Sequence, residues 1–523
     1  MQFWSVFIPT LGALAASPQS LNFQDYVVAQ TQAALKGILD NTYAADSPYP
    51  GVIVASPALD TARAGESGGQ NYYYQWTRDA SLTIKTLINQ YASGDSSLEP
   101  FIKAYIDNER KLQRLDTLSG NFTSGGLGEP KFYVNSTSFD DHWARPQRDG
   151  PALRAVAIMG FLSLQQDAAY IKNVTDTVVK PDLDYVASTW QDLGFDLWEE
   201  QNNLHFFTAM AQARALREGA AFMTETGDND TAAKYTAQGA GLSKLIDSFW
   251  NSTGTGTFDA QLNLTKPTGA DCANLLAANH NAGPGAQYSP SSDKILASAA
   301  TLIDEMTGLH PIDAKRGLSA ISLGRYASDV YDGIQTSKGN PWFLCNSAMA
   351  ETLYLAATEF TAAGNISITN INRHFFTKVN VTAKTGTIYS GSNLSSVIDS
   401  IRTYADQFLA IEQLHVGQNF SMAEEFNRTS GKQQGARDLT WSYAAFVTAA
   451  RARAGQLTYD FTQRFPSNVD STDSASRSYS SAANSNSTIL TLGTSSASEV
   501  KSRASFSQVS GLLAVPFLLL LIL

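Results

Sequence analysis

The chain has 523 residues, of which 43% are apolar, 16% charged and 11% aromatic. That length suffices for one large buried core with an appendage. A formal charge of −11 excludes nucleic acid and an anionic membrane surface as partners, because either would repel it, whereas a neutral polymer is compatible.

In chain order, residues 1–17 (MQFWSVFIPTLGALAAS) read as a signal peptide: a short apolar core leads to the small residues Ala13, Ala15 and Ala16, although no Lys or Arg precedes it. From about residue 24 to 455, apolar residues recur at helical spacing between clusters of Gly, Pro, Asn and Asp. The pattern predicts helices at 23–39, 77–91, 152–165, 204–217, 232–250, 342–362, 394–413 and 440–454, among roughly a dozen expected over that span. Few segments show the alternation of strands, so the domain at 18–465 is expected to be all-α. That helix number suits an antiparallel double ring, although periodicity alone does not display one.

Residues 466–508 are rich in Ser, Thr, Ala and Asn and cannot bury a core, which marks a disordered stalk, O-glycosylated or bare. The apolar tail 509–523 is interrupted by Pro516 and is short for a membrane span. With the polar spacer 500–508 and the small residues Ser495 to Ser498 before it, the tail reads as a glycosylphosphatidylinositol attachment signal; a buried terminal helix is the alternative. About a dozen Asn-x-Ser/Thr sequons, among them Asn121, Asn135, Asn173, Asn251, Asn380 and Asn419, agree with a secretory route. Cys272 and Cys345 are the only cysteines. They can form one bridge or remain a thiol pair, and stability has to come from packing in either case.

Several stretches gather aromatic, acidic and basic residues in predicted loops just before helices, where side chains project from a rigid frame. The first is Tyr72-Tyr-Tyr-Gln-Trp76-Thr-Arg78-Asp79; a helix N-cap with a salt-bridged Arg explains Asp79 equally well. The second, Gly126-Leu-Gly-Glu129-Pro-Lys-Phe, continues to Trp143-Ala-Arg145-Pro-Gln-Arg148-Asp149-Gly-Pro, where Asp149 resembles a helix start but Trp143 does not. The third, Phe195-Asp196-Leu-Trp198-Glu199-Glu200, sets two acids beside a Trp, and either acid can serve a helix dipole instead. The fourth runs from Gly324-Arg325-Tyr326 through Asp329 and Tyr331 to Asn340-Pro-Trp342. The fifth is Met422-Ala-Glu424-Glu425-Phe with Arg437-Asp438-Leu-Thr-Trp441-Ser-Tyr443; for these last two, a solvated loop with a buried Trp is the ordinary alternative. Cleaving a glycosidic bond takes one carboxylic acid to protonate the leaving oxygen and one carboxylate to activate water or attack the sugar. Aromatic platforms with a few polar groups fix the neutral ring.

Together these runs resemble glycoside hydrolase family 15, the fungal glucoamylases, in order and over nearly all of residues 24–455. The resemblance implies an (α/α)6 barrel with a pocket at one end. It also implies exo-acting, inverting release of β-glucose from non-reducing ends of α-1,4 and, more slowly, α-1,6 glucans. By position within the motifs, Glu199 corresponds to the general acid, Glu424 to the general base and Glu200 to a sugar-binding acid, while Glu425 receives no catalytic role. Arg78 and Asp79, with Tyr72, Trp76 and Arg325, are implied to hold the terminal glucose. Trp143, Trp198, Trp342 and Trp441 are implied to form aromatic walls. An inverting pair implies carboxyl groups about 6.5–9.5 Å apart, with Glu199 protonated and Glu424 ionised. The expected partner is an α-glucan or maltooligosaccharide, with no cofactor, no metal, no nucleic acid, a monomeric state and membrane contact only through the anchor.

Two features depart from the family's pattern. Its fungal members often carry a starch-binding module after a linker, whereas here the linker runs into the apolar tail, which disfavours raw granular starch. They also carry several disulfides, and the cysteine that Cys345 matches is typically free. A catalytically silent glucan-binding wall protein and a barrel hydrolase of different linkage preference are the competing readings.

Overall fold

The computed structural model describes residues 17–58, 71–253 and 256–456. The expected signal peptide apart from Ser17, the stalk and the apolar tail lie outside the described residues. In chain order the α-helices are α1 (Phe23–Asp40), α2 (Thr77–Ala92), α3 (Glu99–Leu112), α4 (Gly150–Leu162), α5 (Ala168–Val174), α6 (Lys180–Thr189), α7 (Phe206–Glu225), α8 (Asn229–Ser248), α9 (Cys272–Asn281), α10 (Asp293–Met306), α11 (Phe343–Ala363), α12 (Arg373–Lys378), α13 (Gly391–His415) and α14 (Thr440–Arg453).

Helices α2, α4, α7, α9, α11 and α14 pack side by side in that order, and α14 returns to α2, so they close a ring. The alternate helices lie against it: α1 on α14, α3 on α2, α6 on α4 and α7, α8 on α7, α10 on α9 and α13 on α11. This is an (α/α)6 barrel. Residue type follows layer. Every position of α4 is buried, as are α11 from Phe343 to Ala357 and α2 from Thr77 to Ile84, because inner helices are covered on all sides. Outer α8 buries only Ala232, Tyr235, Leu242 and Ile246, a single stripe at helical spacing.

The first turns show why the helices begin where they do. Asn22, Asp167, Asp228 and Asp271 cap α1, α5, α8 and α9 by accepting backbone N–H groups. Asp79 is not a cap. It sits in the first turn of α2, whose N-cap residue is Trp76. Asp149 does occupy the N-cap position of α4, but its carboxylate caps nothing and accepts from Arg78 at 3.0 Å instead.

Layers are tied by buried charge. Arg154 on α4 donates to Glu109 on α3 at 2.6 Å and, through two nitrogens, to Asp182 on α6 at 2.6 and 2.7 Å. Cys272 and Cys345 form a disulfide with Cα atoms 5.7 Å apart, which corrects the free Cys345 that the resemblance implied. The reason is positional: both open neighbouring helices of the inner ring, α9 and α11, whose packing brings their first turns within bridging distance.

The strands are two or three residues long and pin loops rather than form a layer. Gln75–Trp76 pairs with Lys131–Phe132, Gly194–Phe195 with Asn202–Asn203, and Glu425–Phe426 with Gln433–Gln434, all antiparallel. Each holds a loop that enters an inner helix or faces one, at the end of the barrel where the inner helices start.

Candidate active site

At that end lies a pocket of about 870 Å³, open mouth included. It is lined by all twelve residues named from sequence, together with Ala55, Leu197, Tyr331 and Leu439. The connections into α2, α4, α7, α11 and α14 contribute, and among the described residues the one into α9 does not.

Glu199 stands on a tight turn. The Asp196 carbonyl accepts its N–H at 3.0 Å, and the Asp196 carboxylate accepts the N–H groups of Glu200 at 2.7 Å and Gln201 at 2.9 Å. This closure holds Glu199 at φ +65°, a left-handed conformation that non-glycine residues adopt rarely and mostly where the surroundings enforce it. Its Oε1 accepts both Trp76 Nε1 and Gln147 Nε2 at 2.8 Å.

Glu424 is 2% exposed and is held from three sides. Tyr72 donates to its Oε1 at 3.0 Å; Tyr331 at 3.0 Å and the Ala436 N–H at 3.4 Å donate to its Oε2. Gly435, at φ +75°, leaves the room: a Cβ there would lie 2.3 Å from Glu424 Oε2. Burial pushes the Glu424 carboxyl up to about 7, while the two tyrosine hydroxyls, the Ala436 N–H and Arg325 pull it back toward ionisation. Glu199 and Glu424 are linked through aromatic rings, since Trp76, which holds Glu199, lies 5.4 Å by ring centroids from Tyr72, which holds Glu424.

Arg78 and Asp79 occupy the first turn of α2. Arg78 Nη1 donates to Gln147 at 2.7 Å and Asp149 at 3.0 Å, and its guanidinium lies 5.7 Å from the Trp441 ring centroid. Burial raises Asp79 to about 6 against the pull of Arg78. Arg325 makes a two-nitrogen contact with Asp329 at 2.8 and 2.6 Å and reaches Glu200 at 2.8 Å. Burial works to raise Glu200, but Arg325 and Lys266, with the Tyr326 hydroxyl, hold it below the usual carboxylate range. Trp198 donates to Asp271 at 2.9 Å and lies 5.4 Å from Trp342 and 6.5 Å from Trp441. Trp143 lies across the Lys131 ammonium, 3.4 Å from its ring centroid.

Tyr331, Gln147 and Lys131 were not singled out from sequence. Tyr331 lay within a quoted stretch, yet nothing local aims its hydroxyl at a carboxylate 93 residues on. Gln147 lies inside the Trp143–Asp149 run, and its part emerges only when Arg78 and Glu199 meet on either side of its amide. Among the described residues no group of three or more His, Cys, Asp or Glu side chains is placed to hold a metal ion.

Two carboxyl groups in one aromatic-walled pocket, carried by an (α/α)6 barrel, define a glycoside hydrolase. The model of the glycosyl hydrolases family 15 matches residues 28–451. A probable glucoamylase of Schizosaccharomyces pombe is 39% identical over 80% of this chain and 88% of its own length, and glucoamylase-1 of Schizophyllum commune is 37% identical over 83% and 74%. Among solved structures, the family 15 glucoamylase of Hypocrea jecorina superposes with a TM-score of 0.77 at 34% identity, over 87% of this chain and 76% of that one. The Saccharomycopsis fibuligera glucoamylase gives 0.78 at 27% identity, over 83% and 96%. The chain belongs to glycoside hydrolase family 15.

Proposed function

We propose that the protein is an inverting exo-hydrolase that removes β-D-glucose from the non-reducing ends of α-1,4-linked glucans and, more slowly, of α-1,6 linkages. The observation that carries this reading is the unequal setting of two carboxyl groups in one pocket. Glu199 has both donors on Oε1, leaving Oε2 to carry a proton toward the glycosidic oxygen. Glu424 receives only donors, three of them, as a carboxylate that has to accept a proton from water requires.

In the reaction, water attacks the anomeric carbon and gives its proton to Glu424. The bond from that carbon to the glycosidic oxygen breaks, and the oxygen takes the Glu199 proton. β-Glucose and a chain one unit shorter leave, and both carboxyls recover their starting states by exchange with solvent. Arg78, Asp79 and Glu200 accept and donate hydrogen bonds to the terminal ring, while Trp143, Trp198, Trp342 and Trp441 supply the apolar faces it lies against.

The test is proton NMR of maltoheptaose hydrolysis, read within minutes, for wild type and Glu424→Gln. Early β-glucose from wild type and a rate lower by on the order of 10² to 10⁴ in the variant are expected. Early α-glucose means retention and overturns the mechanism.

We further infer that residues 18–465 form the catalytic unit, secreted by way of the 1–17 leader and attached to a lipid anchor, added near Ser495 to Ser498, through the part of the 466–508 stalk that precedes those serines. Sequence composition supports this arrangement. Among the described residues no helix is long and apolar enough to cross a membrane. Phosphatidylinositol-specific phospholipase C should release the enzyme from intact cells or membranes; protein that stays bound and sediments unchanged contradicts the anchor.

A further inference from the structure

A second hollow, about 1240 Å³ with its mouth, is larger than the pocket that holds Glu199 and Glu424. It lies between the 122–127 loop, one face of α6 along its length with Asp176 just before it, and Asp192, with Arg148 on its wall. The 122–127 loop and Arg148 belong to the α3–α4 connection and Asp192 to the α6–α7 connection, and these connections also carry Trp143 and Glu199 into the catalytic pocket. The hollow therefore flanks the catalytic end of the barrel on its outer side.

Its lining is chemically specific. The Phe122 ring, backed by the Arg114 guanidinium 4.8 Å from its centroid, supplies an apolar face. The three carboxylates around it are already matched by cations: Asp176 by Lys172 at 2.7 Å, Asp184 by Lys180 at 2.7 Å and Lys234 at 2.9 Å, and Asp192 by Arg148 at 3.6 Å. Each of these charges sits in an ion pair, so the site presents no unpaired cation to a phosphate or carboxylate ligand and no unpaired anion to a basic one. What it offers is carboxylate oxygens with lone pairs to spare, the hydroxyl of Thr123 and an aromatic face, a set that suits a neutral polyhydroxylated chain.

We propose that this hollow binds an internal stretch of α-glucan and holds the polymer beside the pocket that trims its end. The proposal rests on the α-glucan reading above, and its value to the enzyme is a raised local concentration of chain ends on a large substrate. Maltose is too short to occupy both places and gains nothing from it.

The probe is β-cyclodextrin, a closed ring of α-1,4-linked glucose without an end for an exo-enzyme to attack, titrated calorimetrically into the full-length enzyme. Two variants accompany wild type. Phe122→Ala removes the aromatic face and leaves the Asn121 sequon intact. Ser188→Trp fills the hollow from an exposed position on α6. Wild type is expected to bind, and both variants to bind at least tenfold more weakly. Their kcat/KM on maltose should stay within twofold of wild type, which also reports that they fold, while kcat/KM on glycogen falls threefold or more. Equal cyclodextrin affinity in all three proteins overturns the proposal. So does binding by wild type only after Asn121→Gln, because the hollow is then filled by the molecule's own glycan. An enzyme that releases glucose from maltoheptaose but does not bind cyclodextrin loses this site alone. One that binds cyclodextrin through Phe122 but releases no glucose loses the catalytic reading alone.

Discussion

Glu424 and Glu425 are neighbours of one chemical type with opposite surroundings. The backbone is extended at Glu425–Phe426, so successive side chains leave on opposite faces. Glu424 enters the pocket, and Glu425 turns back to accept from Asn340 at 2.8 Å. Burial, and next to it the Glu424 charge, push Glu425 well above the usual carboxylate range, which favours a neutral acid behind an ionised base. The hydroxyl of Tyr331 acts in the same direction, because a hydrogen bond donated to a carboxylate stabilises its charged form. Tyr331→Phe removes one such donor and leaves the ring. The acid limb of the kcat/KM profile, which follows ionisation of Glu424 in the free enzyme, should move to higher pH by about one unit, as expected for loss of one hydrogen bond to a charged group. An unshifted limb with only a lower plateau would mean that Tyr331 acts by shape alone.

At the scale of elements, the sequence reveals what repeats and conceals what meets. Helical spacing located eight helices, seven of them to within three residues at each end: the predicted 23–39, 77–91, 152–165, 232–250, 342–362, 394–413 and 440–454 correspond to α1, α2, α4, α8, α11, α13 and α14. The predicted 204–217 stops eight residues short of the end of α7. Gly219 lies in that missing part, a residue that disfavours helix on its own account. Here it is retained for packing, since a Cβ would lie 2.8 Å from Leu183 on α6. Tertiary contact outweighs propensity at that point. Closure of the inner ring could not be read from any segment, because it resides in the meeting of α14 with α2. The same holds for the site. Its acids, Trp residues and Arg78 stand in compact runs and were legible through them. Lys131 was not: its place, within 3.4–4.5 Å of the ring centroids of Trp143, Tyr74, Phe139 and Trp76, exists only after four aromatic side chains from two loops have converged.

The whole molecule keeps many carboxyl groups inside. Burial raises Glu109, Asp182, Asp271, Glu359 and Glu412, and carries Glu351, 5% exposed on α11, up to about 7. An acid whose folded value exceeds its unfolded value binds more protons folded than unfolded, so its contribution to stability is complete below the unfolded value and is lost as pH rises through the folded one. For Glu351 that window runs from 4.5 to about 7, and the loss is on the order of 3 kcal/mol. The enzyme should accordingly melt at a higher temperature at pH 4.5 than at pH 8. Glu351→Gln, which keeps shape but carries no proton to lose, should narrow that difference; a variant with the wild-type slope would show that another group sets it.

Ring closure also fixes when the enzyme can come into being. Asn41, just beyond α1, donates to Thr440 at 2.9 Å, and the side chain of Gln413 donates to the carbonyls of Pro18 and Leu21 at 2.8 and 2.9 Å. The first helices thus find their partners only in the last. Translation at about 5–20 residues per second brings α14 out roughly 17–70 s after α2, and throughout that interval the flanks of α1 and α2 that α14 will cover stay open to solvent and to chaperones. Glu424 precedes α14 by only sixteen residues. The proposed base and the helix that seals the barrel therefore emerge together, and a nascent chain has no working pocket until it also has a closed fold.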